Sequence, residues 1–172
     1  IMIRTFEHHD VEALAAAAKV PVINGLTDFN HPCQVLADLL TCQMAWGVTC
    51  LSDIVVAWCG DGNNMARSWL HAAEVLGFEL RLASPKDYAL TSEEIEVAQR
   101  RGARVITSTD TLEAAQGAHV VTTDVWASMG QESEAVTRRG LFEPFRIDQS
   151  VMSLADPSGI FLHCLPVHRG EE

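Results

Sequence analysis

The sequence predicts an α/β protein built around a doubly wound parallel sheet. Strand and helix patterns alternate along the chain, and this order is typical of parallel sheets whose helices cover both faces. The stretch DIVVAWCG (53–60) is an almost unbroken apolar run, which indicates a strand that is buried on both faces. The alternation continues from there to the end of the sequence, so we assign residues 51–172 to one such domain.

The first 30 residues predict a separate β-α-β piece. MIRTF (2–6) and VPVING (20–25) have strand patterns, and DVEALAAAAK (10–19) between them is an alanine-rich helix. Two parallel strands and one helix cannot bury their apolar surface by themselves. We therefore expect residues 1–30 to be the last part of a second α/β domain that begins before this sequence.

A helix from Pro32 to Trp46 is predicted to connect the two parts, within a linking region at 31–50. Proline suits the first helical position because its missing N–H would have no partner there. Apolar residues recur at helical spacing and predict a buried face, formed by Val35, Leu36, Leu39, Leu40 and Gln43 or Met44.

The remaining elements alternate in the order that a doubly wound sheet requires. After the strand at 53–60 we predict helices at 64–76, 91–101 and 110–116, and helical pieces before the last strand. The strands are ELRLAS (79–84), ARVITS (103–108), HVVTTDV (119–125) and GIFLHCL (159–165).

The composition excludes several classes of protein. A net charge of −11 without a basic stripe argues against nucleic acid and anionic membranes as partners. No apolar run approaches the ~18 residues of a membrane helix, and the first residues lack a signal-peptide pattern. The five cysteines are scattered and odd in number, which favours a reduced, cytoplasmic protein.

Unusual polar residues follow the predicted strands. GDGNN (60–64), DVWASMGQ (124–131) and HCLP (163–166) each end a strand, and NHPCQ (30–34) opens the connecting helix. In open α/β sheets, ligands bind outside the carboxyl ends of the strands, near the point where the strand order reverses. We expect these four clusters to meet at one crevice.

The GDGNN cluster has two interpretations. It opens a helix, where free N–H groups favour an anion such as a carboxylate, but Asn63 and Asn64 are equally explained as helix caps. A dinucleotide site is less consistent with the sequence, because Met65 occupies the third glycine position and the next strand ends at Ser84-Pro85 rather than at an acidic residue. We expect no cofactor.

Asp124 and His31 are candidate ligand-binding residues. Asp124 ends a buried strand, so its carboxylate needs a cation or donors, either a structural arginine or a substrate amine. The loop after it, with Ser128 and Met129, either closes over a ligand or is an ordinary surface loop. His31 precedes a helix whose dipole lowers the imidazole pKa, so a neutral His31 either caps the helix or donates to a carbonyl oxygen, with Gln34 adding an amide contact.

Cys164 by itself is most simply a small core residue. His163, Cys164 and His168 match no strong zinc pattern, and adjacent side chains of a strand point to opposite faces. We expect no metal.

Taken together and in this order, HPCQ, DGNN, DVWASMGQE and HCLP resemble the transcarbamoylase family, and within it the ornithine branch. The similarity runs through long stretches such as NGLTDFNHPCQVLADLLT and GDGNNMARSWLHAAEVLGFELRLASP. It implies a Rossmann-like ornithine domain and transfer of a carbamoyl group from carbamoyl phosphate to the δ-amine of L-ornithine, giving citrulline and phosphate in arginine metabolism.

The resemblance also implies roles for individual residues. The carbamoyl phosphate site would contain His31, Pro32, Gln34, Cys164 and Leu165. The ornithine site would contain Asn64, Asp124, Ser128, Met129 and Cys164. His31, Asp124 and Cys164 would be closest to the reaction, with Cys164 accepting or steering a proton, and Leu165-Pro166 would be a cis peptide.

The departures from the family pattern limit what this chain can do. The Ser-Thr-Arg-Thr phosphate motif is absent, since IRTF (3–6) does not replace it, and the segment with the last arginine is missing. We expect a fragment that is inactive alone, from a full-length homotrimer. The alternatives are another acceptor (N-acylated ornithine, putrescine or aspartate) or a non-catalytic ornithine-binding module.

Overall fold

The computed structural model describes residues 1–127 and 132–172. It confirms an α/β architecture, with the strands in two parallel sheets. The smaller sheet pairs β1 (Met2–Arg4) with β2 (Ile23–Leu26), which are connected by α1 (His8–Ala17). Strand β2 starts later than predicted because Pro21 has no N–H for the sheet, and the pairing begins where Ile23 donates to the Ile1 carbonyl.

Helix α2 spans Pro32–Trp46, as predicted, and ends at Gly47, which adopts the left-handed conformation (φ 65°). Val35, Leu39 and Cys42 face the core of the larger sheet. The predicted apolar face is wrong in part, because Leu36, Leu40 and Met44 are 65%, 55% and 76% exposed. These three residues form a stripe next to the buried stripe, because each follows a buried-side position by about one residue.

The larger sheet has five parallel strands in the order β5-β4-β3-β6-β7. Its strands are β3 (Val55–Cys59), β4 (Glu79–Ala83), β5 (Arg104–Ser108), β6 (Val120–Thr123) and β7 (Ile160–His163). Its helices are α3 (Asn64–Leu76), α4 (Ser92–Arg100), α5 (Thr111–Ala115), α6 (Ala135–Phe142) and α7 (Gln149–Met152). Short 3-10 turns lie at Lys86–Tyr88, Glu132–Glu134 and Glu143–Phe145.

The strand order determines where the crevice of the larger sheet lies. Strand β3 pairs with β4 on one side and β6 on the other, so the chain moves outward in both directions from β3. The order therefore reverses at β3 and β6, and the residues after their carboxyl ends border one opening. These residues are the GDGNN cluster and Asp124.

Two apolar layers enclose the sheet. One contains Trp58, Trp69 and Phe78, together with the buried side of α2. The other is rich in alanine and contains Phe145 and Val151 from the segment before β7. All five cysteines are free thiols. No helix in the described ranges is long and apolar enough to span a membrane.

Candidate active site

A cavity of about 780 Å³ lies at the carboxyl ends of β3 and β6. Both parts of the chain line it. Arg4, Thr27 and Asp28 of the N-terminal piece line it together with His31 at the start of α2, and the larger domain contributes Asp61, Asn63, Asn64, Asp124, Cys164 and Leu165. The structure thus brings together residues from all four polar clusters of the sequence. Pro32 and Gln34 are not among the residues that line the cavity.

Asp124 follows β6 directly and accepts hydrogen bonds from neutral donors. The Asn63 side-chain amide donates to Oδ2 (2.7 Å), and the Val125 N–H donates to Oδ1 (2.7 Å). Burial raises the pKa of the Asp124 carboxyl, while these donors and the Cys164 thiol act in the opposite direction. No arginine or lysine of the described residues pairs with it, so an amine of a ligand can supply the positive charge.

Asn63 and Asn64 have different tasks. Asn63 is the N-cap of α3, because its Oδ1 accepts from the N–H groups of Met65 (2.9 Å) and Ala66 (3.2 Å). Its amide N–H₂ remains free to hold Asp124. Asn64 is the first helical residue and donates from Nδ2 to the Thr27 carbonyl (2.8 Å), which ties α3 to the N-terminal piece. Its assignment to the ornithine carboxylate stays a prediction.

His31 occupies the N-cap position of α2, but its side chain makes no capping hydrogen bond. The capping interpretation is therefore wrong. The backbone N–H of His31 donates to the Ser68 hydroxyl (2.7 Å), while the imidazole Nδ1 is buried without a hydrogen-bond partner in the described part of the chain. Burial, and then the charge of Arg4, lower the pKa of His31, so the ring is neutral at pH 7 and can donate one hydrogen bond.

Gln34 lies in the first turn of α2 and is held by Asp38, a feature that the sequence reasoning missed. The Gln34 amide Nε2 donates to Asp38 Oδ1 at 2.9 Å. Asp38 is only 6% exposed, and burial raises the pKa of its carboxyl. The signal was present in the sequence, since a single carboxylate stands on the apolar face one turn after Gln34.

Cys164 is buried at the end of β7 and belongs to the core of the larger sheet. Burial and the charge of Asp124 raise the pKa of its thiol well above the usual range, so the thiol keeps its proton at pH 7. A protonated thiol can donate and orient, but it is a poor proton acceptor. Leu165 is exposed, and its bond to Pro166 is cis, as the resemblance implied.

A buried ion pair joins the two loops at the mouth of the cavity. The Arg138 guanidinium, 2% exposed, donates to Asp61 and to the Trp126 carbonyl, and it lies over the rings of Tyr88 (4.7 Å) and Phe142 (4.9 Å). Asp61 precedes Asn63, and Trp126 follows Asp124 by two residues. Arg138 therefore fixes both loops that carry the polar residues of the site.

The two glycines of GDGNN have local structural reasons. Gly60 has φ 139°, a backbone region that L side chains rarely adopt. A Cβ on Gly62 would lie 2.5 Å from the Leu90 nitrogen, because the turn at Lys86–Tyr88 packs directly against it. Packing therefore explains the two glycines without a bound dinucleotide.

The residues considered as metal ligands do not form one cluster. His163 Nδ1 contacts the Cys164 carbonyl (3.1 Å) rather than the thiol. Within the described ranges, the ligand atoms that do lie within 4.8 Å of one another belong to His168, Glu171 and Glu172, a set that excludes Cys164. Ser128 and Met129 lie outside the described residues, so their predicted contacts with ornithine stay predictions.

Two family models match the chain and together cover most of it. The aspartate/ornithine carbamoyltransferase Asp/Orn-binding domain matches residues 52–172, and the carbamoyl-P-binding domain of the same family matches residues 1–44. Similar proteins include the ornithine carbamoyltransferases of Syntrophotalea carbinolica (54% identical) and Pelobacter propionicus (50% identical). Each similarity covers 100% of this chain but 56% of the relative.

Solved structures of ornithine carbamoyltransferases are also similar to this chain. The anabolic ornithine carbamoyltransferase of Campylobacter jejuni is 41% identical with a TM-score of 0.91, and the enzyme of Pyrococcus furiosus is 44% identical with a TM-score of 0.89. Each matches 99% of this chain, which corresponds to 57% and 55% of those chains. The chain thus spans about half the length of its relatives, and it belongs to the aspartate/ornithine carbamoyltransferase family.

Proposed function

We propose that the protein containing this chain transfers the carbamoyl group of carbamoyl phosphate to the δ-amine of L-ornithine, giving L-citrulline and phosphate. One observation carries the proposal. Asp124, in a cavity shared by both parts of the chain, has neutral donors on its carboxylate, and no arginine or lysine of the described residues forms an ion pair with it. This arrangement suits a substrate that brings its own ammonium group, and the named relatives are ornithine carbamoyltransferases.

The proposed roles follow the two sides of the cavity. The carbamoyl end of carbamoyl phosphate would contact His31, Pro32, Gln34, Cys164 and Leu165. Ornithine would contact Asn64, Asp124, Ser128, Met129 and Cys164. Asp124 serves best as an anchor for the α-ammonium, because a carboxylate beside the attacking amine would stabilise its unreactive, protonated form.

The chemistry requires hydrogen-bond donors at a developing oxyanion. The δ-amine attacks the carbamoyl carbon, and the carbonyl oxygen gains negative charge in a tetrahedral intermediate. The bond to the phosphate oxygen then breaks, and the leaving phosphate takes the proton that the amine loses. A neutral His31 has one N–H to donate to that oxygen, and burial keeps it neutral. Cys164 retains its proton and so would steer the amine by hydrogen bonding rather than accept its proton.

The remaining parts of the proposal concern the whole protein. Residues 1–30, 31–50 and 51–172 would be the end of the carbamoyl phosphate domain, the connecting helix and the ornithine domain. The phosphate motif would lie in the part of the relatives that this chain does not span, so the chain alone would be inactive. The complete protein would be a cytoplasmic homotrimer.

The test compares this chain alone with a completed version that carries the flanking segments of the Syntrophotalea carbinolica relative. We expect carbamoyl phosphate-dependent citrulline only from the completed version, and no product with putrescine, N-acetylornithine or aspartate as the acceptor. In the completed version, Asp124→Asn should raise the KM for ornithine at least tenfold, while the exposed control Asp87→Asn should not change it. Product formed with another acceptor would show that ornithine is not the substrate. A completed chain that is folded but inactive would refute the transfer reaction.

A further inference from the structure

Asp38 is a buried carboxylate that no cation accompanies in the described part of the chain. It is 6% exposed, lies on α2 between the core residues Val35 and Leu39, and accepts from the Gln34 amide at 2.9 Å. A carboxylate in such surroundings destabilises the folded state, because desolvation disfavours its charge. Burial accordingly raises the pKa of Asp38. Packing alone would be served better by leucine, so the carboxylate points to another role.

The hydrogen bond determines which end of the Gln34 amide is free. A glutamine side chain has an N–H₂ that donates and a carbonyl oxygen that accepts. An ionised carboxylate can only accept, so Asp38 must receive the N–H₂ and leave Oε1 available as an acceptor. No described residue donates to Gln34 Oε1. Gln34 therefore presents an unused acceptor in the first turn of α2. It does not itself line the cavity, but it is three residues from His31, which does.

Asp38 is also close to the other side of the proposed reaction centre. Val35 and Leu39, on the same helix, belong to the same apolar cluster as Cys164, which follows β7. Burial and the charge of Asp124 raise the pKa of the Cys164 thiol most, and the charge of Asp38 acts in the same direction. Asp38 is thus on the buried side of α2, which packs in the same core as Cys164 of the HCLP segment, where the proposed carbamoyl site is located. This position suits a residue that acts on Gln34 rather than on solvent.

We propose that Asp38 is a positioning residue that holds the Gln34 amide with Oε1 toward the carbamoyl –NH₂ of the substrate, so that the site recognises an N–H donor. The inference rests on the proposed function, because that function supplies the carbamoyl group. A carbamoyl group offers two N–H donors, whereas the acetyl group of acetyl phosphate has a methyl group in their place. Asp38 would therefore contribute to the preference for carbamoyl phosphate over acetyl phosphate.

The test measures this preference in the completed version of the chain. Calorimetry gives the affinities for carbamoyl phosphate and acetyl phosphate, and their ratio is the readout. Asp38→Asn is isosteric, but its own N–H₂ can donate to Gln34 Oε1 and turn the amide around. We expect a loss of about tenfold in the ratio, the size expected for one hydrogen bond. Gln34→Ala should lose a similar factor, and Asp38→Asn should add nothing in the Gln34→Ala background.

A second variant separates positioning from packing. Asp38→Ala removes the acceptor without adding a donor, so Gln34 is released rather than reversed, and we expect a smaller loss of preference than in Asp38→Asn. A packing role predicts the opposite order, because alanine leaves the larger cavity. Asp87→Asn, an exposed Asp-to-Asn change, should leave the ratio unchanged.

The outcomes are distinct from those of the activity test, since binding is measured without turnover. A ratio within twofold of the parent in Asp38→Asn, with a clear loss in Gln34→Ala, would overturn the role of Asp38. An unchanged ratio in both variants would overturn the role of Gln34 as well. A greater loss in Asp38→Ala than in Asp38→Asn would assign Asp38 to packing.

Discussion

Replacing Arg138 by methionine should strongly destabilise the protein, because it leaves the buried carboxylate of Asp61 without its cationic partner. Arg138 is 2% exposed, and the side chain of its partner Asp61 is 11% exposed. Removing one partner of a buried ion pair typically costs about 3–5 kcal/mol, since the remaining charge stays in a poorly solvated site. Burial raises the pKa of Asp61 most, and the negative charge of Asp124 acts in the same direction, so without Arg138 this charge would face Asp61 uncompensated.

The assay is urea unfolding followed by far-UV circular dichroism, with a matched control at the next residue. Arg139→Met removes the same charge from an exposed pair with Glu171, whose side chains are 59% and 31% exposed. Exposed pairs contribute about 0–1 kcal/mol, so the control should remain close to the parent. The double variant Arg138→Met/Asp61→Asn should recover part of the loss, since no uncompensated charge remains.

Two results would refute this reasoning. Equal effects of Arg138→Met and Arg139→Met would show that burial does not amplify the pair. Additive effects in the double variant would show that Arg138 and Asp61 are not energetically coupled, because contacting charges should give a clear interaction energy.

Two further predictions concern the helix and the loop beside the cavity. The folded-state pKa of Asp38 is raised above its ordinary 3.8, so its ionised form destabilises the fold at neutral pH, and this penalty disappears as the pH falls through the folded pKa toward 3.8. The parent should therefore gain stability relative to Asp38→Asn when unfolding is measured at pH 4.5 instead of pH 7, and a constant difference would contradict the shift. Gly62→Ala should cost roughly 1–3 kcal/mol because its Cβ would meet backbone at 2.5 Å, whereas Gly140→Ala in α6, with nothing within 4 Å, should stabilise by about 0.5–1 kcal/mol. Thermal unfolding of both variants checks the pair, and equal shifts would show that the close approach at Gly62 is not restrictive.

Much of the fold could be predicted because each element is locally encoded. The helix at 32–46 follows from a proline at its start and from the apolar spacing after it, and the boundaries agree with the structure. The strands were predicted one or two residues too long at most ends, since apolar residues continue past the last hydrogen-bonded pair. Local pattern could not separate the buried stripe of α2 from the exposed one at Leu36 and Leu40, because that distinction depends on what packs against the helix.

The location of the polar site was predictable, but its hydrogen bonds and ion pairs were not. Strand ends and helix starts placed Asp124 and His31 at the crevice, because parallel strands direct their carboxyl ends to one edge. The pair between Asp61 and Arg138 joins residues 77 positions apart, and nothing near either residue indicates the other. The Asn63 cap was foreseen as an alternative, whereas its second hydrogen bond to Asp124 required the fold.

In the described part of the chain, Asp61 and Asp124 are two of the three carboxylates that line the cavity, the third being Asp28, and their contacts bear on the proposed binding of an amine. Asp61 and Asp124 lie close enough for the charge of one to affect the pKa of the other, yet their partners differ. Arg138 neutralises Asp61, while Asp124 receives hydrogen bonds from an amide and a backbone N–H. Asp124 is thus left without a pairing arginine or lysine among the described residues, and Asn63 holds its carboxylate in a fixed direction. In the proposed function, Arg138 would therefore leave Asp124 as the carboxylate that the ammonium group of ornithine meets.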